Sequence, residues 1–203
     1  MGENLSVPWT NYIPHRPTDK QLAFLMLDVP EALYGGAAGG GKSDALLMAA
    51  LQYVHVPGYS ALLLRRTYSD LALPGALMSR AVDWLAPSAS QWNGSQKRWM
   101  FPSGATLTFG YLDQLGSEYR YQSSEFQFIG FDELTQFREN QYRYLFSRLR
   151  RMEGQPVPLR MRAASNPGGI GHEWVRQRFV DKEDSNEDRI FLSLIHISEP
   201  TRQ

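Results

Sequence analysis

Two segments of the sequence hold residues whose types and spacing suit the binding of phosphate and a divalent cation. The first, Gly36–Ser43, fits the pattern G-x-x-x-x-G-K-[ST] at every fixed position. Glycines allow the tight turn that points successive backbone N–H groups at phosphate oxygens. Lys42 would place its charge between the β- and γ-phosphates, and Ser43 would offer its hydroxyl to Mg²⁺. The segment predicts a phosphate-binding loop; the alternative is a flexible glycine-rich turn.

The second segment is an acidic pair, Asp132 and Glu133, that follows the apolar stretch Phe126–Phe131. Asp132 is the natural anchor for the Mg²⁺ that accompanies a bound triphosphate, and Glu133 can polarise an attacking water. A kinase would not need Glu133, because its acceptor hydroxyl comes from a bound substrate. With the phosphate loop present, the pair favours ATP hydrolysis; taken alone, it could be an ordinary strand end with solvated acids.

These residues need a parallel sheet to bring them together. The loop follows a predicted strand at Glu31–Tyr34 and precedes a predicted helix at Ala45–Tyr53, the context that the motif requires. Other predicted elements are a helix at Gln21–Leu27 capped by Thr18, a strand at Tyr59–Leu64, a helical pattern over Ser69–Leu85 interrupted at Pro74–Gly75, a hairpin of Lys97–Phe101 and Ala105–Phe109, a helix at Asn140–Arg150 and a strand at Leu159–Ala164. This alternation predicts an α/β fold, a P-loop NTPase whose mostly parallel sheet is flanked by helices. A catalytic glutamate directly after the acidic strand would make it an ASCE-type member.

Composition sets bounds that agree with one such domain. The chain has 203 residues, 42% of them hydrophobic and 12% aromatic, enough for one core. Lys plus Arg equals Asp plus Glu at 21 each, so any contact with a polyanion must come from a local patch. The absence of cysteine excludes a disulfide scaffold or a thiolate metal site. No apolar run approaches the ~20 residues that span a bilayer, so we expect a soluble cytoplasmic protein that does not associate with a membrane.

Gln21 lies just upstream of the first predicted strand. Its amide could bridge to the adenine ring, as in motor ATPases with an N-terminal glutamine motif. The alternative is an exposed glutamine at the start of a helix, and the sequence leaves both open.

Five segments in order support a resemblance to a known family. They read GGAAGGGKS, LLLRRTYSDL, YQSSEFQFIGFDELTQF, AASNPGG and HEWVRQRF. Together, over residues 17–180, they resemble the N-terminal ATPase domain of the large terminase subunit of tailed bacteriophages. The resemblance implies an ATP-driven motor that packages double-stranded viral DNA into a procapsid. It also implies a portal protein and a small terminase subunit as partners, a homo-oligomeric ring, and action in the host cytoplasm while docked on the portal.

The same resemblance assigns site residues. It implies Glu133 as the catalytic carboxylate, and Ser43 and Asp132 on the Mg²⁺ side. Asn166 resembles the motif that couples the state of the γ-phosphate to movement, because an amide at a strand's carboxyl end can bond a γ-phosphate oxygen and lose it on hydrolysis; otherwise it is a plain turn residue before proline. The predicted nucleotide-binding residues are those of the loop, together with Gln21 if its amide contacts adenine. The loop residues are Gly36, Ala37, Ala38, Gly39, Gly40, Gly41, Lys42 and Ser43.

The transition state needs a further cation, and here the sequence departs from some relatives. Some terminases carry an arginine inside the phosphate loop, but positions 37–40 are Ala-Ala-Gly-Gly. By its position before the acidic strand, Arg120 resembles the arginine finger that ring motors offer to a neighbouring subunit. Arg65 and Arg66 are rivals, and a surface role remains an alternative for all three.

A set of arginines could track DNA phosphates, although such a run is more often a solvated helix face. Its members are Arg138, Arg143, Arg148, Arg150, Arg151, Arg160 and Arg162.

We interpret the end of the sequence as derived from a sequencing adapter rather than from the natural gene. Leu192–Arg202 matches, in one reading frame, the translation of a transposase-based sequencing adapter, whereas the alternative is a natural terminal strand. We therefore expect an ATPase domain over 1–191, with an irregular segment at 1–16, and a non-native tail at 192–203. A complete large terminase resembles this domain followed by an RNase H-like nuclease, so no DNA cleavage is expected from this chain.

Two alternatives to the packaging ATPase stay open at this point. One is another P-loop nucleic-acid motor, such as a helicase. The other is a module that binds ATP but turns it over little in this truncated form.

Overall fold

The described residues form one eight-stranded sheet. The structure is a computed structural model that describes residues 10–36, 39–154, 157–181 and 187–193. The strands are β1 Glu31–Gly35, β2 Ser60–Arg65, β3 Gln91–Asn93, β4 Arg98–Met100, β5 Thr106–Tyr111, β6 Phe128–Asp132, β7 Arg160–Ser165 and β8 Arg189–Ser193. Their order across the sheet is β3-β4-β5-β2-β6-β7-β1-β8.

The sheet is mostly parallel, as predicted. All pairings from β5 across to β8 are parallel, whereas β3 and β4 add an antiparallel hairpin at one edge. The strand β7 lies between β1 and β6, which is the ASCE arrangement of P-loop NTPases. Because parallel strands end at the same edge, the segments that follow β1, β6 and β7 meet there.

Helices cover both faces of the sheet. They are α1 Asp19–Leu25, α2 Lys42–Leu51, α3 Tyr68–Ala72, α4 Leu77–Leu85, α5 Glu139–Phe146 and α6 His172–Arg176. Alternate strand residues point to opposite faces, so Leu63 packs in the apolar cluster with α1, α2 and α4, whereas Leu62 and Leu64 pack in the cluster with α5 and α6. Both clusters are buried, which explains why the central strands are nearly continuous runs of apolar residues.

Several predicted elements are confirmed, with shifted ends. Thr18 and Gln21 form a capping box at the start of α1. The interruption at Pro74–Gly75 separates α3 from α4, and the hairpin of β4 and β5 forms around Pro102–Gly104. The helix predicted over Asn140–Arg150 is α5, which begins and ends earlier than expected. The sequence does not predict β3, which has three residues, or α6, which has five, because elements this short show no clear period.

The last strand crosses the boundary drawn at residue 191. In β8, Leu192 pairs with Tyr34 and Ser193 pairs with Gly35 of β1. Residues 194–203 lie outside the described residues, so a non-native tail at 192–203 stays a prediction. Of the irregular segment predicted at 1–16, residues 1–9 also lie outside them; residues 10–16 contain no helix or strand, and Tyr12 packs edge-on against Phe101.

Within the described ranges, none of the helices has both the length and the apolar character to span a membrane.

The DNA-tracking hypothesis is wrong for two of its arginines, because Arg160 and Arg162 are buried in β7. Arg160 donates from Nη1 to Oε1 of Gln52 at 2.9 Å. Arg162 donates to backbone carbonyl oxygens of Leu27, Val29, Pro30 and Met161 at 2.8–3.2 Å. Burial, together with the nearby charge of Arg160, lowers the pKa of Arg162 to about 9. The side chain therefore ties the segment before β1 to β7.

We predict that Arg162→Met destabilises the fold by about 3 kcal/mol, because it leaves buried carbonyl groups without donors. Urea unfolding monitored by circular dichroism measures this change. The matched control is Arg143→Met on α5, where the side chain is 71% exposed, and it should stay within about 0.5 kcal/mol of the unaltered chain. Equal losses in the two variants would contradict the role given to Arg162.

Candidate nucleotide-binding site

The phosphate loop has the conformation that its glycines permit. It runs from the end of β1 to Lys42, where α2 begins, and Gly39 and Gly41 have φ values of 79° and 66°. These left-handed values strongly favour glycine. Ala37 and Ala38 lie outside the described residues. Within the described part of the loop, the backbone therefore makes the turn predicted from the sequence.

Lys42 and the first turn of α2 supply positive charge at this loop. The Nζ of Lys42 donates to the carbonyl oxygen of Gly36 at 3.1 Å, and the residue is 6% exposed. Burial lowers the pKa of Lys42, while the charges of Glu133 and Asp132 raise it. Gly41 is the N-cap residue and provides no side-chain cap, so no capping side chain competes with an anion at the start of α2.

Asp132, the last residue of β6, is joined to the phosphate loop. Its Oδ1 accepts a hydrogen bond from Oγ of Ser43 at 3.0 Å, and its Oδ2 accepts one from Nε of Arg65 at 2.7 Å. The carboxylate is almost fully buried, and burial raises the pKa of Asp132, whereas Arg65 and Ser43 lower it. Arg65 thus offsets the cost of burying this negative charge.

Glu133 lies beyond the strand in a strained backbone conformation. Its φ of 57° is in the left-handed region, which costs a residue other than glycine roughly 1 kcal/mol or more. Its carboxylate accepts hydrogen bonds from Nδ2 of Asn166 at 2.9 Å and from the backbone N of Asn166 at 3.3 Å. The Oδ1 of Asn166 is buried and has no hydrogen-bond partner. Two hydrogen bonds therefore join Glu133 to Asn166, although the sequence predicts the two residues separately.

The residues present fit a Mg²⁺ site of the kind that needs a bound phosphate. Ser43 and Asp132 bring two oxygen-bearing side chains together next to the loop. Across the described ranges, no group of three or more His, Cys, Asp or Glu residues could hold a metal alone. Mg²⁺ commonly takes one or two protein ligands and completes its shell with water and phosphate oxygens, which matches this sparse set.

Gln21 contacts the loop from the side of α1. Its Nε2 donates to the carbonyl oxygen of Gly41 at 2.9 Å, and its Oε1 accepts from the backbone N of Thr18 at 2.9 Å. The residue is 4% exposed, so the alternative of an exposed helix-start glutamine is wrong. Contact with adenine stays a prediction, and supporting the loop is a role that sequence reasoning missed.

The three candidate arginines have different surroundings. Arg120 lies at the surface, where it pairs with Asp113 at 3.0 Å and stacks on the ring of Tyr111. Arg66 donates to the carbonyl oxygen of Leu112. Arg65 alone of the three contacts the acidic pair, and only its position at the end of β2 could have indicated this from the sequence. The structure does not bring Arg120 to the phosphate loop of its own chain.

Comparison with protein families gives a match over most of this domain. The model described as terminase large subunit, T4likevirus-type, N-terminal matches residues 33–175. No curated protein matches the chain significantly.

Solved structures show the same fold. The chain superimposes on the ATPase domain of the Thermus phage P74-26 large terminase with a TM-score of 0.63 and 14% identity, covering 90% of this chain and 82% of that one. The large terminase of bacteriophage HK97 gives a TM-score of 0.64 and 12% identity, covering 89% of this chain and 40% of that one. A large terminase from a thermophilic bacteriophage, solved in complex with ADP, gives 0.64 and 19%, covering 86% and 44%. The chain thus spans less than half of the full-length terminases that it matches.

We predict that Gln21→Leu weakens triphosphate binding about fivefold, because Gly41 loses its hydrogen bond. Titration with fluorescent ATP and GTP analogues separates the two roles of Gln21. Loss of loop support weakens both nucleotides equally, whereas loss of an adenine contact weakens ATP alone. The control is Gln91→Leu, an exposed position on β3, which should leave both affinities unchanged.

Proposed function

Because the chain belongs to the family of T4-like large terminase subunits, whose N-terminal region it matches, we propose that it is the ATP-hydrolysing motor domain that packages double-stranded viral DNA into a procapsid. The observation that carries this proposal is the position of Glu133. It follows β6 at the sheet edge that also holds the phosphate loop, and Asn166 binds its carboxylate. A triphosphate on the loop would extend its terminal phosphate toward this carboxylate.

Each residue of the site has a defined task in hydrolysis. Lys42 leaves the carbonyl of Gly36 to bind the β- and γ-phosphates, and the N–H groups that begin α2 bind their oxygens. Ser43 and Asp132 would hold Mg²⁺, which supplies positive charge to the phosphate oxygens in the transition state. Glu133 orients a water molecule and accepts its proton as the water attacks the γ-phosphate.

Asn166 gives the site a response to nucleotide state. In the structure its side-chain amide donates to Oε1 of Glu133 and its backbone N–H donates to Oε2, so both carboxylate oxygens are engaged before a water is bound. A γ-phosphate is a competing acceptor for the side-chain amide, and its arrival frees Oε1 of Glu133 for the water. Release of phosphate after hydrolysis returns Asn166 to Glu133. This exchange would link each turnover to a movement of the segment that follows β7.

A module with little turnover of its own is the second candidate, and one feature favours it. Both acidic side chains are engaged by protein groups, Asp132 by Arg65 and Glu133 by Asn166. Such a site binds nucleotide in a resting state until a partner completes it.

The partners in the packaging proposal are the portal protein, the small terminase subunit, DNA and neighbouring copies of this chain, assembled in the host cytoplasm on the procapsid.

Arg120 would complete the site in a ring. Its guanidinium is about half exposed and is held by Tyr111 and Asp113. In the proposed ring, this exposed cation would be offered to the nucleotide of a neighbouring subunit. A finger supplied in this way lets assembly control hydrolysis. We propose no DNA cleavage by this chain.

We predict that Glu133→Gln retains ATP binding and lowers hydrolysis by about 10²–10⁴-fold, because the amide accepts a proton poorly. Phosphate release, measured with DNA and portal present, gives the rate, and equilibrium binding gives the affinity. The control Glu139→Gln, on the exposed start of α5, should hydrolyse ATP normally. Hydrolysis by Glu133→Gln at the normal rate would rule out the assigned role.

We predict that Arg120→Ala and Glu133→Gln complement each other in mixed rings. Arg120→Ala alone should lower turnover by about 10³-fold or more, because the finger is lost. At an interface where a Glu133→Gln subunit offers Arg120 to an Arg120→Ala subunit, all the groups are present and activity partly returns. A mixture that stays as inactive as its components means that Arg120 does not act between subunits. The control variant Arg143→Ala, at an exposed position on α5, should hydrolyse ATP normally by itself.

A further inference from the structure

The turn that carries Glu133 is held by a segment far along the chain. After the left-handed Glu133, the backbone forms a single 3₁₀ turn, Leu134–Gln136, and leaves it at Phe137. Within the turn, the N–H of Gln136 donates to the carbonyl oxygen of Glu133 at 2.9 Å, and that of Phe137 donates to Leu134 at 3.0 Å. So short a turn does not by itself maintain a strained residue.

Two donors from outside the turn bind its carbonyl groups. The backbone N of Gly171 donates to the carbonyl oxygen of Thr135 at 2.7 Å. The indole Nε1 of Trp174, on α6, donates to the carbonyl oxygen of Phe137 at 3.0 Å. Both donors come from the segment that begins with Asn166, so the same stretch of chain binds the Glu133 side chain at one end and the turn's backbone at the other.

The close approach of the two backbones depends on glycine at two positions. A Cβ added at Gly169 would lie 2.6 Å from the carbonyl oxygen of Thr135. A Cβ added at Gly171 would lie 2.3 Å from the carbonyl oxygen of Phe137 and 2.6 Å from Nε1 of Trp174. Both distances are shorter than real carbon contacts, so a larger residue at either position would separate the segment from the turn.

Trp174 is also fixed from its other side. Its ring packs against Tyr142 of α5 with centroids 5.3 Å apart, and Tyr142 is fully buried and donates through its hydroxyl to Glu31 at 2.8 Å. The indole N–H is therefore directed at the turn by a rigid neighbour. An aromatic residue without a donor would keep the packing and lose the hydrogen bond.

We propose that Trp174 and Gly171 are positioning residues for Glu133, holding the turn Leu134–Phe137 so that the carboxylate stays at the phosphate edge of the sheet. The expected effect on ATP hydrolysis rests on the proposed function. The expected effect on the turn rests only on the hydrogen bonds. Neither residue needs to touch nucleotide. Because the same segment contains Asn166, a displacement of Asn166 by phosphate would also pull on the turn.

The test replaces Trp174 by phenylalanine in the full chain. Hydrogen exchange measured by mass spectrometry should show the amides of Gln136, Phe137 and Gly171 exchanging about tenfold faster or more, since the turn loses its outer hydrogen bond. In ATP hydrolysis, kcat should fall about tenfold while KM changes less than about twofold, because the phosphate loop is untouched. A change confined to KM overturns the inference.

Trp84→Phe is the matched control, because Trp84 lies on α4 and packs edge-on against His15 rather than near the turn. It should leave both exchange and kcat unchanged. Should Trp174→Phe lose its fold, incorporation of benzothienylalanine at 174 keeps the shape of indole and replaces only the N–H. That variant must reproduce the faster exchange; if the amides of Gln136 and Phe137 stay protected in it, the inference is wrong.

The two readouts separate this inference from the proposed function. If the unaltered chain hydrolyses no ATP with DNA and portal present, the proposed function fails, and the exchange result still decides the role of Trp174. If Glu133→Gln abolishes hydrolysis but Trp174→Phe changes neither exchange nor kcat, the function stands and the positioning role is overturned.

Discussion

The hydrogen bonds between Asn166 and Glu133 connect the two halves of the site, and they exist because β7 lies between β1 and β6. In a parallel sheet, consecutive strand ends along one edge are about 5 Å apart. The insertion of β7 therefore places the amide of Asn166 next to the Glu133 carboxylate, at the edge that also holds the phosphate loop. Any movement of the segment after β7 must change this contact, and in the proposed function this would connect ATP hydrolysis mechanically to the rest of the domain.

Buried charge is the second constraint on this domain. Asp132, Arg160 and Arg162 lie at positions where unpaired charges would be costly, and each is matched by a partner or by backbone carbonyl groups. These arginines look like surface residues in the sequence, since arginine is rarely buried. Arg65 and Gln52 come from distant segments, so these contacts join β2 and the end of α2 to the strands that carry the site. Arg162 joins the segment before β1 to β7.

Prediction from sequence succeeds where a short motif determines its own geometry. The glycine-rich turn before Lys42, the helix cap at Thr18 and the acidic end of β6 each lie within a residue or two of their predicted positions. Prediction fails where a residue's environment depends on distant segments. The exposed alternative for Gln21 is wrong, because the side chain lies buried against Gly41. Arg160 and Arg162 were grouped with exposed arginines, although alternation in a covered strand turns neither side chain to solvent.

The sequence by itself determined the phosphate loop, the acidic pair and the alternation of strands and helices, because local backbone preferences and the period of apolar residues encode them. Only the tertiary structure decided that Arg65 binds Asp132, that Asn166 binds Glu133, and that Trp174 reaches the turn after β6. These contacts join residues separated by tens of positions. Their geometry follows from the order of strands in the sheet, which no local pattern specifies.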